Sequence, residues 1–167
     1  TISGGQSFFD KAEIKDIISY LRLIANDGDD PAFIRAVTTP KRGVGMATLE
    51  VLGAFSKQWN CSLFEASFKG GIEAKLPERQ LTPLRDFATF INQLESRAHR
   101  PGETAGEVLD DMMKEIAYES YLYDTFEERA AASKWQNVME FTNWLKERGN
   151  GGKDKSGEEK NLLEPVS

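Results

Sequence analysis

The residues best suited to chemistry lie at 38–49, TTPKRGVGMATL. Gly43 and Gly45 flank the small apolar Val44, a pattern that permits a tight turn and lets backbone come close to another surface. Apolar periodicity resumes at once with Leu49, Leu52 and Phe55. The turn should therefore run into a helix, whose first N–H groups and positive dipole end converge on it. Lys41 and Arg42 precede the turn, and Thr48 falls one turn inside the helix. These are the ingredients of an anion site aimed at phosphate, of a kind that grips a duplex backbone without reading its sequence. A plain connection between two helices accounts for the same residues, and Gly-x-Gly beside two bases does not decide between the two.

Other candidates carry less. No GxxxxGK[ST] phosphate loop occurs, so a nucleotide triphosphate has no P-loop cradle here. One histidine, His99, and one cysteine, Cys61, cannot build a His/Cys zinc cluster. His99 reads as a solvated side chain and Cys61 as an inert thiol. Asp110-Asp111 and Glu127-Glu128 are sequence neighbours, so on a helix they diverge and do not form an acid/base pair. No catalytic constellation and no metal site emerge. Tyr118, Tyr121 and Tyr123 could stack bases, but they lie in the most acidic stretch and read as core or protein contact. Trp59, Phe64 and Phe68 read as packing.

The elements that must position these residues are helical. Asp10 with Glu13 resembles a capping box, and Ile14, Ile17, Ile18, Leu21 and Ile24 follow at helical spacing. Lys15 falls opposite Ile17 and should face solvent. Asp30-Pro31 opens a short helix, another follows Gly45, and Ser62 with Glu65 caps a third. Thr82-Pro83 starts a longer helix with Leu84, Phe87, Ile91 and Leu94 inward. Thr104 with Glu107 starts the next, and a last one spans roughly 128–148 around Trp135, Val138, Phe141 and Leu145. Linkers fall at 69–81 and 99–103. Thr1–Ser7 is the one stretch that could be extended, with Gly4-Gly5 as a hinge before Phe8-Phe9. Residues 149–167, beginning GNGGKDKSGEEK, read as a flexible loop or truncated end. The expectation is an all-α subdomain of about seven helices over 1–148.

Composition agrees with a folded chain: 167 residues, 40% hydrophobic and 29% charged, enough for a core without staples. No apolar run reaches the length of a membrane span, and the lone cysteine suits a reducing, cytoplasmic setting. Thr1 in place of an initiator Met suggests an excised chain. The net charge of −6 argues against nucleic acid until it is divided by segment. Residues 34–60 hold Arg35, Lys41, Arg42 and Lys57 against Glu50, a local +3, whereas 103–148 hold eleven acids against five bases. One acidic region can thus mask a basic one.

Taken in order, GGQSFFDKAEIKDIISYLRL at 4–23, DDPAFIRAV and TPKRGVGMATL resemble the UvrD/Rep/PcrA superfamily 1A DNA helicases. Further on, YESYLYDT and KWQNVMEF are most similar to the Rep branch. The resemblance implies the 2B subdomain, an all-helical insertion in the second RecA-like motor domain of a 3′–5′ helicase. That subdomain contacts duplex DNA ahead of the fork, swivels between orientations and restrains unwinding by a monomer. By resemblance, Arg42, Gly43, Val44, Gly45 and Thr48 match the duplex-contacting turn, and Lys15 matches a second duplex contact. Gly4 and Gly5 match the junction with the motor. Thr38 stands where the family usually has Asn, and Val44 where it usually has Ile, which affects only the detail of the turn.

The implied function is duplex binding and autoregulation by a fragment with no ATPase of its own. ATP and Mg would belong to the parent, and the fragment itself would need no cofactor. The implied partners are duplex DNA at a fork junction and the RecA-like motor domains of the parent. The implied location is the bacterial cytoplasm, at the nucleoid. Two other readings fit the residues without the resemblance. One is a free-standing helical DNA-binding protein; the other is a protein-interaction module working through the acidic 103–148 face.

Overall fold

A computed structural model describes the backbone of residues 5–152 and the side chains of 7–148. Among the described residues there are nine α-helices, one 3-10 turn and no strand. They are α1 (Gly5–Phe9), α2 (Ala12–Ala25), α3 (Asp30–Thr38), α4 (Met46–Trp59), α5 (Leu63–Phe68), α6 (Glu78–Ala98), α7 (Ala105–Glu115), α8 (Tyr118–Thr125) and α9 (Glu128–Gly152), with the 3-10 turn at Ile72–Ala74. The all-α expectation holds. The chain divides into two units, one made of residues up to Ile18 together with those from Ser96 onward, the other of Ser19–Glu95. Helices α2 and α6 each contribute one part to each unit.

In the first unit, Thr104 and Glu107 close a full capping box on α7: each backbone N–H donates to the other's side chain, at 3.2 and 3.1 Å. Val108, Leu109, Met112 and Met113 of α7 and Val138, Phe141 and Leu145 of α9 are buried. Phe9 meets Phe141 edge-on at 6.1 Å. In the second unit, Ser62 caps α5 by accepting from the Glu65 N–H at 3.1 Å. Leu49, Leu52 and Phe55 of α4 and Leu84, Phe87 and Ile91 of α6 form buried faces.

Several expectations need correction. Gly5–Phe9 is helical, so the extended stretch survives at none of its described residues; Thr1–Gly4 lie outside them. Of the two proposed hinge glycines, Gly4 also lies outside, and Gly5 opens α1. Glu13 does not close a capping box on Asp10. Its carboxylate is 4% exposed, accepting from Asn137 at 2.8 Å and from Lys134 at 3.3 Å. Asp30-Pro31 opens α3 as expected, and Asp29 before them caps it by accepting from the Ala32 N–H at 3.1 Å. Asp30 accepts from the Leu63 N–H of α5 at 3.0 Å.

Helix α6 begins at Glu78 and carries Pro83 inside it. Pro77 had already supplied the start, its carbonyl accepting from the N–H groups of Gln80 and Leu81. Helix α8 has no counterpart in the sequence pattern, and α9 continues through 149–152, where the composition predicts a loop; 153–167 lie outside the described residues. Trp59 and Phe68 are 50% and 46% exposed, so packing consumes only part of each ring. Trp135 is half-buried.

Candidate functional site

The connection between α3 and α4 lies in the second unit. Thr39 is extended, and its N–H donates to the Ala36 carbonyl at 3.3 Å. The Thr39–Pro40 peptide is cis, and Pro40 is buried. Lys41 is exposed and Arg42 half-buried. The Arg42 guanidinium carbon lies 4.7 Å from the centre of the Phe87 ring and 5.8 Å from that of Tyr20. One terminal nitrogen donates to the Ala36 carbonyl, and the other donates to the Tyr20 hydroxyl at 2.6 Å. Tyr20 is wholly buried, and its O–H faces the carbonyls of Thr39 at 2.8 Å and Ala36 at 3.0 Å.

The two glycines differ in what they require. Gly43 has φ of +86°, the left-handed region where a Cβ is strained; a Cβ there would stand 3.7 Å from the Pro83 ring. Gly45 is extended, with φ −108° and ψ −176°, and a Cβ there would meet nothing within 4 Å. Between them Val44, 6% exposed, anchors the turn. Gly45 is the N-cap of α4 and supplies no side-chain cap. The first helical bond runs from the Leu49 N–H to the Gly45 carbonyl at 3.1 Å. The N–H groups of Met46, Ala47 and Thr48 lie ahead of that ladder. No acid occupies the first turn of α4, and Met46 is 65% exposed. The result is an exposed helix start with an exposed lysine four residues before its N-cap.

The expected site residues therefore separate. Lys41, Gly43 and Gly45 are exposed. Val44 and Thr48 are buried, Thr48 being 4% exposed, so threonine can offer only its backbone N–H. Lys15 is exposed on α2, in the first unit. Sequence reasoning missed Tyr20 and Phe87, which hold Arg42; they lie 22 residues before it and 45 after it, and no local pattern links them.

Away from the turn, several acids are held by bases. The adjacent Asp110 and Asp111 diverge as expected, Asp110 to Lys146 at 2.7 Å and Asp111 to Arg97 at 2.9 Å. Arg97 also grips Glu103 at 2.6 Å. Burial pushes the Cys61 thiol up, with Glu65 adding to it, which disfavours the nucleophilic thiolate. Burial, followed by the Asp27 carboxylate, pushes Glu95 up to about 7. Tyr118 is wholly buried and donates to Asp16 at 2.6 Å, a core role. Among the described residues no group of His, Cys, Asp and Glu could hold a metal ion, and no helix is long and apolar enough to cross a membrane.

Residues 1–167 match the family model of the UvrD-like helicase C-terminal domain. The chain is 42% identical over 147 residues to the ATP-dependent DNA helicase Rep of Salmonella typhimurium, and 40% identical over 147 residues to that of Escherichia coli. Each alignment covers 87% of this chain and 21% of the relative. It is 33% identical over 146 residues to the ATP-dependent DNA helicase PcrA of Staphylococcus aureus, covering 84% of this chain and 19% of that one. The chain thus spans about a fifth of the length of these relatives.

Proposed function

Since the chain belongs to the UvrD-like helicase C-terminal domain family, we propose that it is a 2B-like, duplex-DNA-binding and autoregulatory subdomain of a Rep-like 3′–5′ DNA helicase. The observation that carries this reading is the turn at 41–45. An exposed lysine, a glycine with open space where a Cβ would stand and an acid-free helix start follow one another along one short segment. Such a segment favours phosphate through backbone donors and the helix dipole. It offers no side chain that distinguishes one base from another, so binding should be indifferent to sequence. Lys15 is a second duplex contact, and the backbone N–H of Thr48 joins those of Met46 and Ala47. The fragment hydrolyses no ATP; ATP, Mg and the RecA-like motor belong to the parent, which works in the bacterial cytoplasm at the nucleoid.

The test is salt-dependent binding of a short duplex by the 167-residue chain. With Lys41 and Lys15 neutralising about two phosphates, log K should fall against log[salt] with a slope of roughly −2, and Kd at physiological salt should lie near 10⁻⁴ to 10⁻⁶ M. Strong preference for one duplex sequence, or a slope near zero, would refute the reading. For autoregulation, replacing roughly 1–160 of the parent by a short linker should keep DNA-stimulated ATPase and raise single-turnover unwinding by the monomer. A deletion that unwinds more slowly would leave only the duplex-binding role.

A second reading has a specific observation in its favour. Tyr123 and Phe126 are 41% and 38% exposed beside Asp124, Glu127 and Glu128, a surface that suits a basic protein partner. Charge reversal at Lys41 would spare such docking and abolish duplex binding.

A further inference from the structure

We infer that Arg42 is a positioning residue, which shapes the phosphate-facing turn from beneath while Lys41 and the turn's backbone make the contact. This rests on the turn being the duplex surface proposed above. Three observations carry it. First, the guanidinium lies over an aromatic ring: its carbon is 4.7 Å from the centre of Phe87, within the range where a cation gains from an aromatic face. Second, its terminal nitrogens are committed to the Ala36 carbonyl and the Tyr20 hydroxyl, both inside the unit. Third, those acceptors belong to the segment that delivers the chain into the turn. Ala36 lies in the last part of α3, and the Tyr20 hydroxyl that receives Arg42 also faces the Thr39 carbonyl.

The planarity of the guanidinium is what this arrangement uses. A flat fork can lie against the Phe87 ring and still donate from its edge to two acceptors. A lysine ammonium, a compact point charge on a flexible stem, cannot do both. Gly43 follows directly with φ of +86°, a conformation glycine adopts freely, so its neighbours on either side must fix which way the chain runs. Val44 supplies an apolar anchor after it and the Arg42 clamp supplies a polar one before it. Releasing Arg42 should loosen the backbone of 43–45 and blunt its fit to phosphate, although no phosphate contact is lost.

Tyr20 provides the decisive control, because it is wholly buried and uncharged and cannot touch DNA. Tyr20→Phe keeps the ring and removes only the hydroxyl that receives Arg42. Duplex binding across a salt series, and amide hydrogen exchange at Gly43, Val44 and Gly45 without DNA, should be measured for the wild type, Arg42→Lys, Arg42→Ala and Tyr20→Phe. All three variants should bind several-fold more weakly with the salt slope unchanged, and all three should exchange faster at 43–45. Adding Tyr20→Phe to Arg42→Ala should bring less further loss than Tyr20→Phe causes alone. A slope shallower by about one unit in Arg42→Ala, with affinity restored in Arg42→Lys, would instead make Arg42 a phosphate contact and overturn the inference. Unchanged exchange at 43–45 would also overturn it. The exchange measurement reads the clamp whether or not the chain binds duplex, so failure of the duplex reading is seen separately, as a wild-type slope near zero.

Discussion

The two ends of α2 each bury a polar cluster, and the clusters serve different purposes. Toward the N-terminal end, Glu13 and Asp16 are 4% and 6% exposed. Glu13 is held by Asn137 and Lys134, and Asp16 by the Tyr118 hydroxyl. Every one of these partners comes from α8 or α9, more than 100 residues away. The cluster joins distant parts of the chain, and its value is stability. Toward the C-terminal end, Tyr20 receives Arg42, 22 residues away, and both lie beneath an exposed turn. The same chemistry there shapes a surface. Buried polar groups must be satisfied in either place; what differs is whether the satisfied group leads outward to solvent.

The sharpest test of this contrast is Asp16→Ala. It strips the Asp16 acceptor from a fully buried hydroxyl and should cost about 2–3 kcal/mol in urea unfolding. The salt slope of duplex binding should stay put. A change in slope would show that the N-terminal cluster also shapes the proposed duplex surface.

Gly43→Ala comes next. Its positive φ should make alanine cost about 1–2 kcal/mol, read as a lower Tm, with weaker duplex binding as well. A neutral melt would mean that the turn can relax into another conformation.

Acid should act on the two units in opposite senses. Burial alone would raise Glu13, but the Asn137 hydrogen bond, its own backbone N–H and Lys134 outweigh it and hold the carboxyl below its ordinary 4.5. Its stabilisation is therefore full above pH 4.5 and is lost as the pH falls through the lowered value. Glu95 is raised to about 7. Between about pH 4.5 and 7 the folded chain keeps a proton that the unfolded chain has released, so Glu95 lowers stability as the pH rises across that window. Glu95→Gln should flatten that fall and raise Tm at pH 7. An unchanged pH profile in the variant would remove Glu95 from the account.

The smallest effects on folding are expected at the surface of the turn. Gly45→Ala should cost about 0.5 kcal/mol, since alanine is the poorer N-cap, yet weaken duplex binding. Lys41→Ala should leave unfolding within about 0.5 kcal/mol and make the salt slope shallower by about one unit. Loss of stability in Lys41→Ala with an unchanged slope would exchange the roles assigned to Lys41 and Arg42.

Much of the fold was legible because its signals are local. Ser62 with Glu65, Thr104 with Glu107, and the spacing of Leu49, Leu52 and Phe55 each lie within one or two helical turns. What escaped was decided elsewhere. Helix α8 starts after Ala117, whose φ of +52° carries no glycine to announce it. Pro83 reads as a helix start until Pro77 is seen to have provided one already. Glu13 looked like a cap because the pattern is local, while its partners are on α9. At the turn, the glycine pattern and the exposed lysine were visible in the sequence. The inward direction of Arg42 was not, since it depends on two aromatic rings brought in from α2 and α6.

The half-exposed Trp59 gives the chain an optical handle on one unit alone. Of the three tryptophans, Trp59 lies in Ser19–Glu95, whereas Trp135 and Trp144 belong to the other unit. Its ring abuts Phe55 and carries the Lys69 ammonium at 4.9 Å, while half of its surface meets water. Emission from Trp59 should therefore be red-shifted and open to quenching by iodide, and replacing Trp135 and Trp144 by Phe would leave it as the sole emitter. Light absorbed at that ring would then follow the melting of the unit that carries the turn, separately from the rest of the molecule.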